Sequence, residues 1–124
     1  MPNREVEDAA RAFAHRFERR ERCATVDLPD RAAALARRYR LPKPASIRWS
    51  SSMARQWGSC TVADRSIRIS DTVAEFPPWV LDYVIVHELS HLECPEHSPE
   101  FWEFVARYPK AERARGYLLA KSSQ

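Results

Sequence analysis

No stretch of this chain comes near the roughly 18 uninterrupted apolar residues of a membrane-spanning helix. Its first residues, Met1-Pro2-Asn3-Arg4-Glu5, lead into a charged amphipathic segment rather than the apolar run of a signal peptide. Together these two absences predict a soluble, cytoplasmic protein without a membrane partner. Cysteine is scarce: Cys23, Cys60 and Cys94 are odd in number and irregular in spacing, which excludes a disulfide framework and predicts free thiols. Internal repeats, linkers and low-complexity tracts are also missing, apart from a short polar tail at 121–124. With 124 residues, 44% of them hydrophobic, the chain has material for one core and not two, so a single domain over 1–124 is expected.

What charge there is falls unevenly. Residues 1–55 hold 13 Lys/Arg against 7 Asp/Glu and residues 56–124 hold 7 against 10, so the net +3 divides into +6 and −3. A basic half can attract nucleic acid. The arginines at 11, 16, 19, 20, 22, 31, 37, 38 and 40, however, fall where helix surfaces should lie, and a solvated helix face accounts for them.

Val6, Ala9, Ala10, Phe13 and Phe17 recur at helical spacing and predict an amphipathic helix over about 4–22 that packs by its apolar stripe. Ala32, Leu35, Ala36 and Tyr39 repeat the pattern in a second helix that ends before Leu41-Pro42-Lys43-Pro44. This helical part occupies 1–44. The period then changes to two: Ile47 and Trp49 alternate with Ser46, Arg48 and Ser50, and Ile67 and Ile69 with Ser66, Arg68 and Ser70. Arg55 to Cys60 reads as a third strand, in which Gly58 marks a bulge or a close approach. The expected class is α+β, with a small three-stranded antiparallel sheet.

Pro77-Pro78 opens the segment that carries the chemistry. Residues 79–92 are apolar nearly all round, as in a helix that runs through the middle of a domain, so the polar side chains embedded in it need partners. Among those side chains are His87, Glu88 and His91. Spacing of four sets the two histidines one turn apart on one face, where both can reach a zinc ion. Glu88, beside the first of them, can take a proton from a water that the ion acidifies, and a base must stay off the metal to do so.

A catalytic zinc ordinarily has three protein ligands and an open position. Pro95 pushes Cys94 out of helical geometry and turns the chain back, which makes His97 the first choice for the third ligand. Glu100 and Glu103, on a following helix that Ser98-Pro99 caps, are the alternatives, and Cys94 is a weaker one because it lies on the same turn as the break. Ser59 and Cys60 have no nearby base in sequence and are read as structural. Tyr83, Tyr108 and Tyr117 are candidates to stabilise an oxyanion, a role the sequence assigns to none of them.

Three stretches in order carry a resemblance: Arg55-Gln56-Trp57-Gly58-Ser59-Cys60, then Leu81 through Leu92 with its His-Glu-x-x-His, then His97-Ser98 through Phe101-Trp102. Over about residues 45–110 the chain resembles the YgjP-like metallopeptidases, relatives of the minigluzincins and more distantly of SprT-like proteins. The resemblance implies zinc ligands at His87, His91 and His97 and a catalytic base at Glu88. It also implies a compact zincin core over 45–124, with a small sheet above the metal-bearing helix and further helices around it. Two positions depart from the pattern: the turn Val62-Ala63-Asp64-Arg65 lacks an expected glycine, and Gln56 stands where relatives often place a small or basic residue. The longer metzincin motif is similar in spacing, but Cys94 replaces its turn glycine and neither methionine, Met1 or Met53, follows the site.

The expected function is peptide hydrolysis with one zinc per chain, a peptide or protein substrate, and Trp57 and Gly58 on a strand edge where an extended substrate pairs. The other reading is a zinc-stabilised module that binds nucleic acid or protein, with Arg19, Arg20 and Arg22 as its basic contacts.

Overall fold

The computed structural model describes residues 3–122. Helix α1 covers Arg4–Ala24 and starts where the Asn3 side chain accepts from the Glu5 N–H at 2.9 Å. Helix α2 covers Leu28–Tyr39, with Asp27 as its N-cap and Pro29 in its first turn. Strands β1 (Ser46–Ser50), β2 (Gly58–Thr61) and β3 (Ser66–Ser70) follow, then a 3-10 helix at Asp71–Glu75. The chain closes with α3 (Pro78–His91), α4 (Pro99–Val105) and α5 (Ala111–Ser122).

The sheet has three strands, as the alternation predicts, in the order β1-β3-β2. Antiparallel pairing holds for β2 and β3, where Gly58 opposes Ile69 and Cys60 opposes Ile67. It fails for β1, which runs parallel to β3 with Ile47 beside Ile67 and Trp49 beside Ile69. The strand whose isoleucines are most completely buried takes the middle, and the segment between Ser50 and Gly58 crosses from one edge of the sheet to the other. Period-two patterning sets which face of a strand is buried but not its direction. The strand expected over Arg55 to Cys60 begins later, at Gly58, and its edge is open beside the cleft described below.

The β2–β3 turn closes without glycine because Arg65 itself takes the left-handed conformation, φ 57°. Ties on both sides hold it there: its carbonyl accepts from the Ala45 N–H at 2.8 Å, and its guanidinium donates to the Lys43 carbonyl at 2.6 Å. Arg40 caps α2 in the same way, φ 55°. A left-handed non-glycine residue is strained by roughly 1 kcal/mol, which such hydrogen bonds offset.

The core is built around α3, which packs on α2, β2, β3, α4 and α5. Val80, Ile85, Val86 and Leu89 of α3 meet Ile67, Ile69, Val73, Phe101 and Ala114 with essentially no exposed surface. Arg31 of α2 ties to Asp82 of α3 at 2.5 Å. Helix α1 behaves differently from the sequence expectation. None of its residues is buried, and it meets the body through its polar side, against the 3-10 helix. His15 Nε2 lies 2.7 Å from Glu75, Arg19 lies 3.3 Å from Glu75 and 3.7 Å from Asp71, and the Trp49 indole donates to the Cys23 carbonyl at 3.2 Å. Phe13 and Phe17 remain 65% and 53% exposed.

Candidate metal centre

Helix α3 places His87 and His91 one turn apart at the floor of a cleft of about 530 Å³, within the usual size of small-ligand sites. The helix stops at His91. The Cys94 N–H folds back to the Ser90 carbonyl at 2.9 Å, and the loop returns His97 to the cleft just before Ser98 caps α4 by accepting from the Phe101 N–H at 3.2 Å. The break at Pro95 therefore performs the turn that the sequence predicts.

Ring nitrogens of His87, His91 and His97 all lie within 4.8 Å of one another, the one such group of possible ligands among the described residues. His91 Nε2 and His97 Nε2 face each other at 3.1 Å. Four nitrogens around a tetrahedral zinc stand about 3.3 Å apart, so the cluster needs only small adjustment to hold one ion. The other ring nitrogens set the tautomers. The His91 Nδ1–H donates to the Cys94 carbonyl at 3.1 Å, leaving its Nε2 lone pair for a cation, and His87 Nδ1 lies 3.0 Å from Glu88 Oε2. Burial holds the His91 imidazole below its ordinary pKa, toward the neutral form that a metal requires. The donor set and its spacing fit zinc.

Two aromatic side chains that the sequence reading gave no role hold the third histidine and its partner in place. Phe101 stacks on His91 (ring centroids 4.4 Å, planes at 25°) and Trp102 on His97 (5.7 Å, also 25°). Both follow directly from Ser98-Pro99 starting α4 where it does. The alternatives to His97 are not brought in: Glu100 and Glu103 are exposed on α4 outside the cluster, and Cys94 contributes its carbonyl rather than its sulfur.

Glu88 is only 5% exposed and lies under β2. The close approach that Gly58 predicts is to this side chain. A Cβ at residue 58 would meet Glu88 Cγ and Oε2 at 2.9 Å. Gly58 does not have a positive φ, so space and not backbone freedom calls for glycine here. Trp57 lines the same wall, anchored by an edge contact with Phe76 at 5.4 Å. Cys60 lines it too, but burial first and the Glu88 charge second push its thiol up to about 11, which leaves it a poor nucleophile. Of the three tyrosines, only Tyr83 lines the cleft. Tyr108 donates to the Trp79 carbonyl at 2.8 Å, and Tyr117 packs on Phe76 and Trp79.

The opposite wall comes from α5, where Arg115, Leu118 and Ser122 fall on one helical face. Helical spacing was visible there in the sequence, but nothing near it marked it as part of a site. Of the arginines proposed for nucleic acid, Arg19 is engaged with Asp71 and Glu75, while Arg20 and Arg22 are exposed.

A three-histidine cluster on and after a buried helix, beneath the edge of a small sheet, is the scaffold of a minimal metallopeptidase. Two solved structures share the fold. One is the metallopeptidase zymogen abylysin of Pyrococcus abyssi, at 18% identity and a TM-score of 0.66 over 77% of this chain and 94% of that one. The other is the metallopeptidase zymogen jannalysin of Methanocaldococcus jannaschii, at 19% identity and a TM-score of 0.63 over 77% of this chain and 97% of that one. No curated protein sequence matches the chain. The particular family is defined by its sequence model, that of the YgjP-like metallopeptidase domain, which matches residues 1–121; the chain belongs to it.

Proposed function

We propose that the protein is a zinc-dependent peptidase in which His87, His91 and His97 hold one zinc ion and Glu88 is the general base. The observation that carries this reading is the convergence of three imidazoles beside a buried carboxylate in an open cleft. Bound there, zinc supplies Lewis acidity toward a scissile carbonyl and toward water. The protein's own groups do the rest. The Cys94 carbonyl and the Phe101 ring orient His91, and the Trp102 ring orients His97, so the ligands are held before substrate arrives. Glu88 takes the proton of the attacking water and returns it to the leaving nitrogen. Its burial under Gly58 keeps the carboxylate in one place.

The substrate is a peptide or protein segment that pairs in extended form with the β2 edge. Hydrogen-bonded pairs alternate along an antiparallel ladder, and Trp57 already spends its carbonyl on the Ser70 N–H at 2.9 Å. Gly58 and Cys60 then turn their main-chain groups toward the cleft, where a substrate strand can take them. No described helix is long and apolar enough to cross a membrane. The three cysteines are free, which suits a reducing, cytoplasmic setting.

The test is elemental analysis and peptide hydrolysis on protein purified without chelator or added nickel. Wild type should carry one zinc per chain, and His97→Ala should lose or weaken it. Glu88→Gln should keep the zinc and lose about 10²–10⁴-fold in kcat. Wild type without zinc, or a Glu88→Gln enzyme that cuts at the wild-type rate, overturns the proposal.

A further inference from the structure

The cleft has a second pole, opposite in charge to Glu88. Leaving the histidines aside, Glu88 and Arg115 are the only charged side chains among the described residues that line it. Arg115 reaches in from α5 and lies over the Trp102 ring at 4.6 Å, and Trp102 in turn stacks on His97 at 5.7 Å. The guanidinium is therefore two layers from the metal cluster, at most about 10 Å from the His97 ring, which an extended peptide spans in about three residues. Its one acidic neighbour among the described residues, Glu112, is 3.8 Å away, too far for a hydrogen bond, and the side chain is 44% exposed. No described residue takes up its five donors.

Tyr83 supplies a second group to the same cleft, on α3 beside the His87 ring (centroids 6.1 Å). It is 5% exposed, lines the cleft four residues before His87, and its hydroxyl makes no hydrogen bond among the described residues. That hydroxyl is not sealed in the core, because no buried side-chain oxygen or nitrogen among the described residues is left without a partner. The residue's exposed part borders the cleft. Its O–H is a donor that an acceptor in the cleft can take up.

We propose that Tyr83 and Arg115 form a carboxylate-binding subsite that selects substrates presenting a carboxylate within about three residues of the scissile bond. The guanidinium takes a carboxylate in its two-pronged geometry, and the tyrosine O–H donates to the same group. Acidic side chains and the free C-terminus of a peptide share this chemistry. The inference rests on the peptidase reading, since the scissile bond is defined by the zinc site.

The experiment uses zinc-loaded protein and four matched peptides: one with an internal Glu, its Gln counterpart, one with a free C-terminal carboxylate, and its amide. Hydrolysis is read on wild type, and binding by fluorescence anisotropy on Glu88→Gln. At least one carboxylate peptide should exceed its neutral counterpart by about tenfold in kcat/KM and in affinity, and which pair shows it identifies the source of the carboxylate. Arg115→Gln should bring that ratio near one, Arg115→Glu should invert it, and Tyr83→Phe should reduce it several-fold. Equal treatment of both pairs by wild type, or an unchanged ratio in Arg115→Gln, overturns the subsite. If wild type cuts none of the four, the peptidase reading fails, while the anisotropy ratios still decide the subsite.

Discussion

Helices α1 and α3 stand at opposite extremes of one molecule. Nine residues of α3 are buried, among them Glu88 and Ser90, whereas α1 is the longest helix and buries none. Helix α1 is supported locally, by the Asn3 cap, Glu5 and Glu7 in its first turn, Arg22 in its last, and the Asp8–Arg11 pair along its surface. Helix α3 lacks a side-chain cap and draws its stability from tertiary packing. The proposed chemistry sits in the second kind of helix. A carboxylate that must stay in one position is better held by a packed helix than by one free to shift, and the cost of burying it is offset by its hydrogen bond with His87.

The sharpest way to test that contrast is to remove volume from α3. Ile85 has no exposed surface, and Ile85→Ala should cost about 2–5 kcal/mol in chemical denaturation, from lost burial and a residual cavity. A cost below about 1 kcal/mol would mean that α3 is not the centre of the core. Gly58→Ala comes next and touches the site rather than the core. Its new methyl would displace Glu88 and its hydrogen bond to His87, so kcat should fall about 10²-fold while the zinc stays bound and stability drops by about 1 kcal/mol. Unchanged kcat would show that β2 does not press on Glu88.

Sequence legibility follows the same division. Helix α3 with His87, Glu88 and His91 was readable because their spacing is local and an apolar segment makes a polar residue conspicuous. His97 was readable from Pro95, again a local cause. The direction of β1 was not, because alternation is the same in a parallel and an antiparallel ladder, and the β1–β3 pairing joins segments about 20 residues apart through a crossover. The turn at Arg65 was misleading for another reason: tertiary hydrogen bonds from Lys43 and Ala45 substitute for the conformational freedom of glycine. Arg115 was invisible as a site residue, since only the packing of α5 on α3 brings it over Trp102.

Helix α1 is the most instructive case, because its periodicity was read correctly and its orientation was not. The pattern Val6, Phe13, Phe17 says that an apolar stripe exists. It does not say what faces it, and the hydrogen bond of His15 and the ion pair of Arg19 with the 3-10 helix turn the stripe outward. The smallest effect follows. Replacing Phe13 and Phe17 together by Ser should change unfolding free energy by no more than about 0.5 kcal/mol, as for other exposed positions. A loss above about 2 kcal/mol, approaching that of a core truncation, would place the stripe against the body in solution. Arg19→Gln separates the two arrangements further. It should loosen α1, raising amide exchange along residues 4–24, if the polar side is the docked one, and leave exchange unchanged if the phenylalanines hold the helix.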